Sequence, residues 1–196
     1  MIEKAKTISV IAVGNSKEDK VPDRKGIGQK GYLVRNFGLQ IDELNISKLW
    51  LIETKPNDDA GYYEIAEEIL INPVIHSYAL YAGFDPFAEK YFNKKHVGDW
   101  ILRFGFKTQP FVSDVEGEFV QRAIKDVLGI ELSSLRTASQ YTLRGKLNKK
   151  DLEVIANQSP IDSKCHKVIY FPIDMDNMGA MQSPISKRHQ RLIYRK

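Results

Sequence analysis

Three glycines, Gly26, Gly28 and Gly31, stand in the stretch GIGQKG and fit the spacing G-x-G-x-x-G. Between a strand and a helix, that spacing lets backbone N–H groups approach the pyrophosphate of a dinucleotide. An apolar run, ISVIAV (8–13), precedes the glycines. A second run, LWLIE (49–53), follows and ends on Glu53, where the fingerprint wants an acidic ribose ligand. The distance is wrong for that chemistry. Residues 14–25, GNSKEDKVPDRK, separate the first run from Gly26, whereas the fingerprint sets its first glycine directly after the strand.

The other reactive side chains form no set. Cys165 and His166 are neighbours, so on a strand they face opposite sides and cannot act as a thiolate–imidazole pair. A small buried thiol beside an exposed imidazole is expected instead. His76, His96 and His189 lack metal-ligand spacing. DMDN (174–177) gathers carboxylates without the remainder of a calcium loop. No glycine loop ends in Lys-Ser or Lys-Thr. The expectation is therefore no catalytic residue, metal ligand or cofactor ligand in this chain.

The elements that must position any site emerge from an internal repeat. At an offset of 91 residues, SVIAVGNS (9–16) falls on WILRFGFK (100–107), and VPDRKG (21–26) falls on VSDVEG (112–117). FGLQIDELNISKLWLIE (37–53) then falls on LGIELSSLRTASQYTLR (128–144), with no gap throughout. Asp23 meets Asp114, Gly26 meets Gly117 and Gly38 meets Gly129. Farther on, the second copy runs about four residues shorter, and EEILINPVIHSYAL corresponds loosely to EVIANQSPIDSKCHKVIYF, with Pro73 opposite Pro160. Gly28 and Gly31 have no counterpart glycine: Phe119 and Arg122 stand there. The retained glycine follows an aspartate in both copies, which marks an N-cap and a tight approach rather than a phosphate cradle.

Each copy reads as strand, helix, strand, helix, strand. Phe119, Val120, Ala123, Ile124, Val127 and Leu128 predict an apolar helical stripe, with Ser113 and Glu116 as a capping box and Gly129 as the stop. Ile65, Ala66, Ile69 and Leu70 predict a second helix in copy one, and Leu152, Ile155 and Ala156 do so in copy two. LWLI and QYTL read as strands. ISVIAV and ILRFGF alternate little, as expected of central strands covered by helices. The class is α+β, with two tandem β-α-β-α-β repeats, mixed or antiparallel sheets covered by helices, and a pseudo-twofold axis through which each copy supplies the other's missing partner. The expected division is residues 1–83 for repeat one, 84–97 for an aromatic-rich connector with a short helix near 86–94, 98–172 for repeat two and 173–196 for a basic extension.

The chain of 196 residues is 42% hydrophobic and 28% charged, as ordinary folded domains are. No apolar run approaches the ~18 residues of a membrane span, and the N-terminus lacks a cleavage pattern. One cysteine excludes an internal disulfide and suggests a reducing compartment, hence the cytoplasm. The pI near 9.0 raises nucleic acid as a partner. However, KRHQRLIYRK at the end holds five basic residues and no acid. The excess of positive charge is thus a property of the tail, and nucleic acid is not the expected partner.

EEILINPVIHSYAL (67–80) and SDVEGEFVQRAIKDVLGIELSSLRTASQYTL (113–143) carry a family resemblance. Their layout resembles the small PurS subunit of phosphoribosylformylglycinamidine synthase, and the two copies together resemble the tandem PurS-like N-terminal domain of single-chain synthases. The likeness covers about residues 7–172. The family's basic strand motif persists as Leu135, Arg136 and Tyr141, with Ala138 and Ser139 replacing its glycine and lysine, while Asn45 holds the arginine's place in copy one. The resemblance implies a non-catalytic assembly subunit. It would bridge a glutaminase and a synthetase during glutamine-dependent conversion of formylglycinamide ribonucleotide to the amidine. ATP, magnesium and glutamine would be used by those partners, and a homo-oligomer is compatible with the role. Asp23, Gly26, Asp114, Gly117, Arg136 and Tyr141 are the candidate interface or structural residues. The competing expectation is a tandem α+β regulatory module holding a small molecule between its copies.

Overall fold

The computed structural model describes residues 7–15, 21–54, 61–82, 97–106, 113–161 and 165–173. It is α+β. The elements run β1 (Thr7–Asn15), α1 (Arg24–Phe37), β2 (Ile41–Thr54), α2 (Tyr62–Glu64) with a π-helical continuation (Ile65–Leu70), and β3 (His76–Ala82). The same order follows: β4 (Gly98–Phe106), α3 (Val115–Leu128), β5 (Ser134–Leu147), α4 (Lys149–Asn157) and β6 (His166–Pro172). The strands form one antiparallel sheet in the order β3-β1-β2-β5-β4-β6.

The register follows the offset seen in the sequence. Ser9 pairs with Ile52, and Trp100 pairs with Leu143, each 91 residues farther on. The two halves meet along β2 and β5, where Lys48 lies opposite Ser139. These two strands are the longest, at 14 residues each, and they form the centre of the sheet. The strands expected to be central, β1 and β4, lie one position in from the sheet edges. They lack alternation because both of their faces are buried: Val10 and Ile11 of β1, and Ile101 and Leu102 of β4, are all at most 5% exposed.

Among the described residues the helices occupy one face of the sheet and exchange neighbours between halves. Leu33 of α1 packs with Leu152 and Ile155 of α4 over Leu44, Trp100, Tyr141 and Leu143. Ile124 of α3 packs with Ile65 and Ala66 over Ile11, Trp50, Ile52 and Leu135. The α1–α4 contact is fastened by Gln29, whose Nε2 donates to the Gln158 carbonyl at 3.1 Å, and by Tyr32, whose hydroxyl donates to Gln158 Oε1 at 3.1 Å. Each half thus covers part of its apolar sheet with a helix of the other.

Two local expectations fail. The N-cap of α3 is Asp114, not Ser113, and Glu116 turns instead to an ion pair with Lys48. The apolar stripe of α3 is also narrower than its sequence suggests. Ile124 is buried, but Phe119 and Val127 are 70% and 67% exposed. Helix α3 meets the sheet along one line only, so a residue one step around the helix points outward. The connector 84–97, except for exposed Val97, and nearly all of the extension 173–196 with its DMDN cluster lie outside the described residues. Among the described residues no helix is long and apolar enough to cross a membrane.

Candidate functional site

The aspartate–glycine pairs have one geometry in both halves. Asp23 caps α1 by accepting the Gly26 N–H on Oδ1 at 2.9 Å, and its Oδ2 accepts the Ile46 N–H of β2 at 2.6 Å. Asp114 accepts the Gly117 N–H at 2.9 Å, and its Oδ2 accepts the Thr137 N–H of β5. The Thr137 hydroxyl adds a bond to the same carboxylate, at 2.9 Å to Oδ2. Each carboxylate therefore satisfies a helix-end donor and a strand donor together, and ties helix to sheet. The glycines permit this approach. A Cβ on Gly26 would stand 2.3 Å from the Leu44 carbonyl oxygen, and one on Gly117 would stand 2.8 Å from that of Leu135. These four residues build the frame and leave no carboxylate oxygen of Asp23 without a donor.

The glycine fingerprint lies inside a helix. Gly28 and Gly31 fall within α1, not in a strand-to-helix turn, and a Cβ on Gly28 would meet nothing within 4 Å. The first-turn N–H of Gly26 already has its acceptor in Asp23, and that of Ile27 donates to the Asp23 carbonyl at 2.9 Å. No pyrophosphate cradle of the Rossmann kind is formed here.

Tyr141 and Arg136 have opposite surroundings. Tyr141 is 2% exposed on the helix-covered face, with its ring 4.9 Å from that of Phe104 and its hydroxyl 3.2 Å from Ser159 Oγ. Burial raises the pKa of its phenol above the ordinary value, and the hydrogen bond from Ser159 opposes that shift. It is a core residue and offers no contact surface. Arg136 pairs with Leu51 across β2–β5, on the face away from the helices, and its side chain is exposed. Among the described residues no carboxylate forms an ion pair with it.

Cys165 lies half-buried just before β6, and His166 is half-buried too, with its ring 4.4 Å from that of Phe106. The expected exposed imidazole is thus a covered one, because β4 presents an aromatic opposite it. Among the described residues no three His, Cys, Asp or Glu side chains gather as metal ligands.

A cleft of about 740 Å3 opens beside the β2–β5 junction. The end of β1, the start of α1, the middle of β2 and the start of β3 form its walls, and Glu116 and Ser139 close it from the second half. Arg24 and Lys25 stand exposed at its rim. Lys48 lies in it, 4.8 Å from the centroid of the Trp50 ring and paired with Glu116. His76 Nδ1 accepts the Asn72 N–H at 3.2 Å, which leaves Nε2 to carry the ring proton as a donor. The sequence held a signal for this cleft: at the offset of 91, Val13 and Asn15 stand where copy two has Phe104 and Phe106. No protein-family model, curated protein or solved structure matches the chain.

Proposed function

We propose that the chain is a non-catalytic assembly subunit of phosphoribosylformylglycinamidine synthase, made of two PurS-like units and bridging a glutaminase to a synthetase in the cytoplasm. The observation that carries this reading is Arg136. It is the arginine that the resemblance marks, and it stands exposed on the sheet without an ion-pair partner among the described residues. Arginine presented in this way can bind a partner's carboxylate bidentately and is enriched among binding hot spots. The matching cap-to-strand backbone hydrogen bonds of Asp23 and Asp114 support the duplicated unit. A bridge acts by fixing geometry between two active sites and keeping the local supply of ammonia high, so it needs no chemistry of its own.

The test mixes glutaminase and synthetase with and without this chain and compares glutamine with free ammonia as nitrogen source. The chain should raise the glutamine-dependent rate and leave the ammonia-dependent rate nearly unchanged. Arg136→Ala should remove about tenfold of the affinity for the partners, the ~1.4 kcal/mol of a moderate hot spot. Equal glutamine-dependent rates with and without the chain would rule out the bridge. A second reading, a tandem small-molecule-binding module, rests on the cleft.

A further inference from the structure

We propose that the cleft beside Trp50 binds a small phosphorylated molecule, with Arg24, Lys25 and His76 as its anion-recognising groups. The inference rests on the ligand-binding reading and does not involve the bridge. Three observations carry it. The first is size: about 740 Å3 falls within the ~300–1,000 Å3 typical of small-molecule sites and exceeds what a lone inorganic ion needs.

The second is charge. Two carboxylates line the cleft, and both are engaged. Asp23 accepts from Gly26 and Ile46, and Glu116 pairs with Lys48. Arg24 and Lys25 have no ion-pair partner among the described residues, and among those residues the uncompensated charge at the rim is positive. His76 adds a ring N–H donor. Adjacent Arg and Lys with a ring N–H suit the several oxygens of a phosphoryl group, while Val21, Pro22 and Ile75 offer apolar wall to the rest of the molecule.

The third is the contrast with the other half. His76 lies opposite Asn15, and His166 lies opposite Phe106. In the second half Phe106 covers the histidine and Phe104 packs on Tyr141. In the first half Asn15 puts no ring against His76, which is half-buried as His166 is, and Val13 stands beside Trp50 where the second half has a phenylalanine. The cations change as well: Arg24 and Lys25 correspond to Val115 and Glu116. Space and positive charge therefore occur together beside Trp50.

The test is titration calorimetry of the full chain with AMP and glucose 6-phosphate, against adenosine and glucose as uncharged controls. At least one phosphorylated probe should bind about tenfold more tightly than its control, and the difference should shrink as salt is raised. Arg24→Gln with Lys25→Gln changes exposed residues only and should weaken that binding by about tenfold or more. Val13→Phe with Asn15→Phe imports the residues of the second half and should abolish it, with far-UV circular dichroism confirming the fold. If neither phosphate binds at millimolar concentration, or if both double variants bind as the parent does, the proposal is wrong. If the uncharged controls bind equally well and the filled variant loses them, the cleft remains a ligand site but the phosphoryl assignment falls.

Discussion

At the end of β1 the residues facing the helices are Val13 and Asn15; at the same place in β4 they are Phe104 and Phe106. The frames around them agree closely. In each half an aspartate caps the first helix and accepts a strand N–H, a glycine lets that helix approach a strand carbonyl, and a left-handed glycine, Gly38 or Gly129, ends the helix. What differs is the filling. The second half packs Phe104 against Tyr141 and Phe106 against His166. The first half sets small or polar residues at both places and opens a cleft beside Trp50. Backbone hydrogen bonding and close glycine contacts fix the frame, whereas side-chain volume decides whether it holds a core or a cavity.

The largest expected effect breaks the shared frame. Gly26→Val drives a side chain into the Leu44 carbonyl and should cost about 3 kcal/mol, measured by urea unfolding. Gly117→Val, with 2.8 Å of clearance instead of 2.3 Å, should cost less. Gly28→Ala, where a Cβ meets nothing within 4 Å, should stabilise α1 by about 0.5–1 kcal/mol. If Gly28→Ala destabilised the protein as much as Gly26→Val does, the glycines of α1 would not have the separate roles assigned to them.

A smaller effect comes from exchanging the filling between halves. Phe104→Val removes most of a ring from a site that is 1% exposed and should cost about 2–3 kcal/mol. Val13→Phe places the ring where space already exists and should stay within about 1 kcal/mol of the parent. Equal losses for the two would mean that the first half is as tightly packed as the second.

The smallest effect is a pH dependence, and it separates a buried phenol from an exposed guanidinium. The phenol of Tyr141 is held above its ordinary value of 10.0 by burial. That of Tyr78 is raised by burial and then by its hydrogen bond to Glu67, which is 2.9 Å long. For both, the folded chain retains a proton that the unfolded chain gives up above pH 10. Their contribution is therefore complete below pH 10 and is lost as pH rises beyond it. Tyr141→Phe should flatten part of that alkaline decline in unfolding midpoint and remove the Ser159 bond, worth about 1 kcal/mol. Arg136→Ala should leave the decline unchanged.

The sequence by itself determined what depends on neighbours along the chain or on pattern. The order of elements, the Asp23–Gly26 and Asp114–Gly117 caps and the Gly38 and Gly129 stops are local, because a cap is made within one turn of backbone. The failure of GIGQKG as a phosphate loop was legible from its distance to β1 and its loss in the second copy. The tertiary structure decided what depends on facing. Arg136 and Tyr141 are five residues apart on β5, so alternation sets them on opposite faces, and only the docking of the helices decides which of the two is buried beneath them. Phe119 and Val127 fit a helical stripe, yet only docking shows that α3 touches the sheet along a narrower line. The cleft belongs to no single segment. Its walls come from seven elements of both halves, and whether they enclose space depends on the summed side-chain volumes around Trp50, which no local pattern encodes.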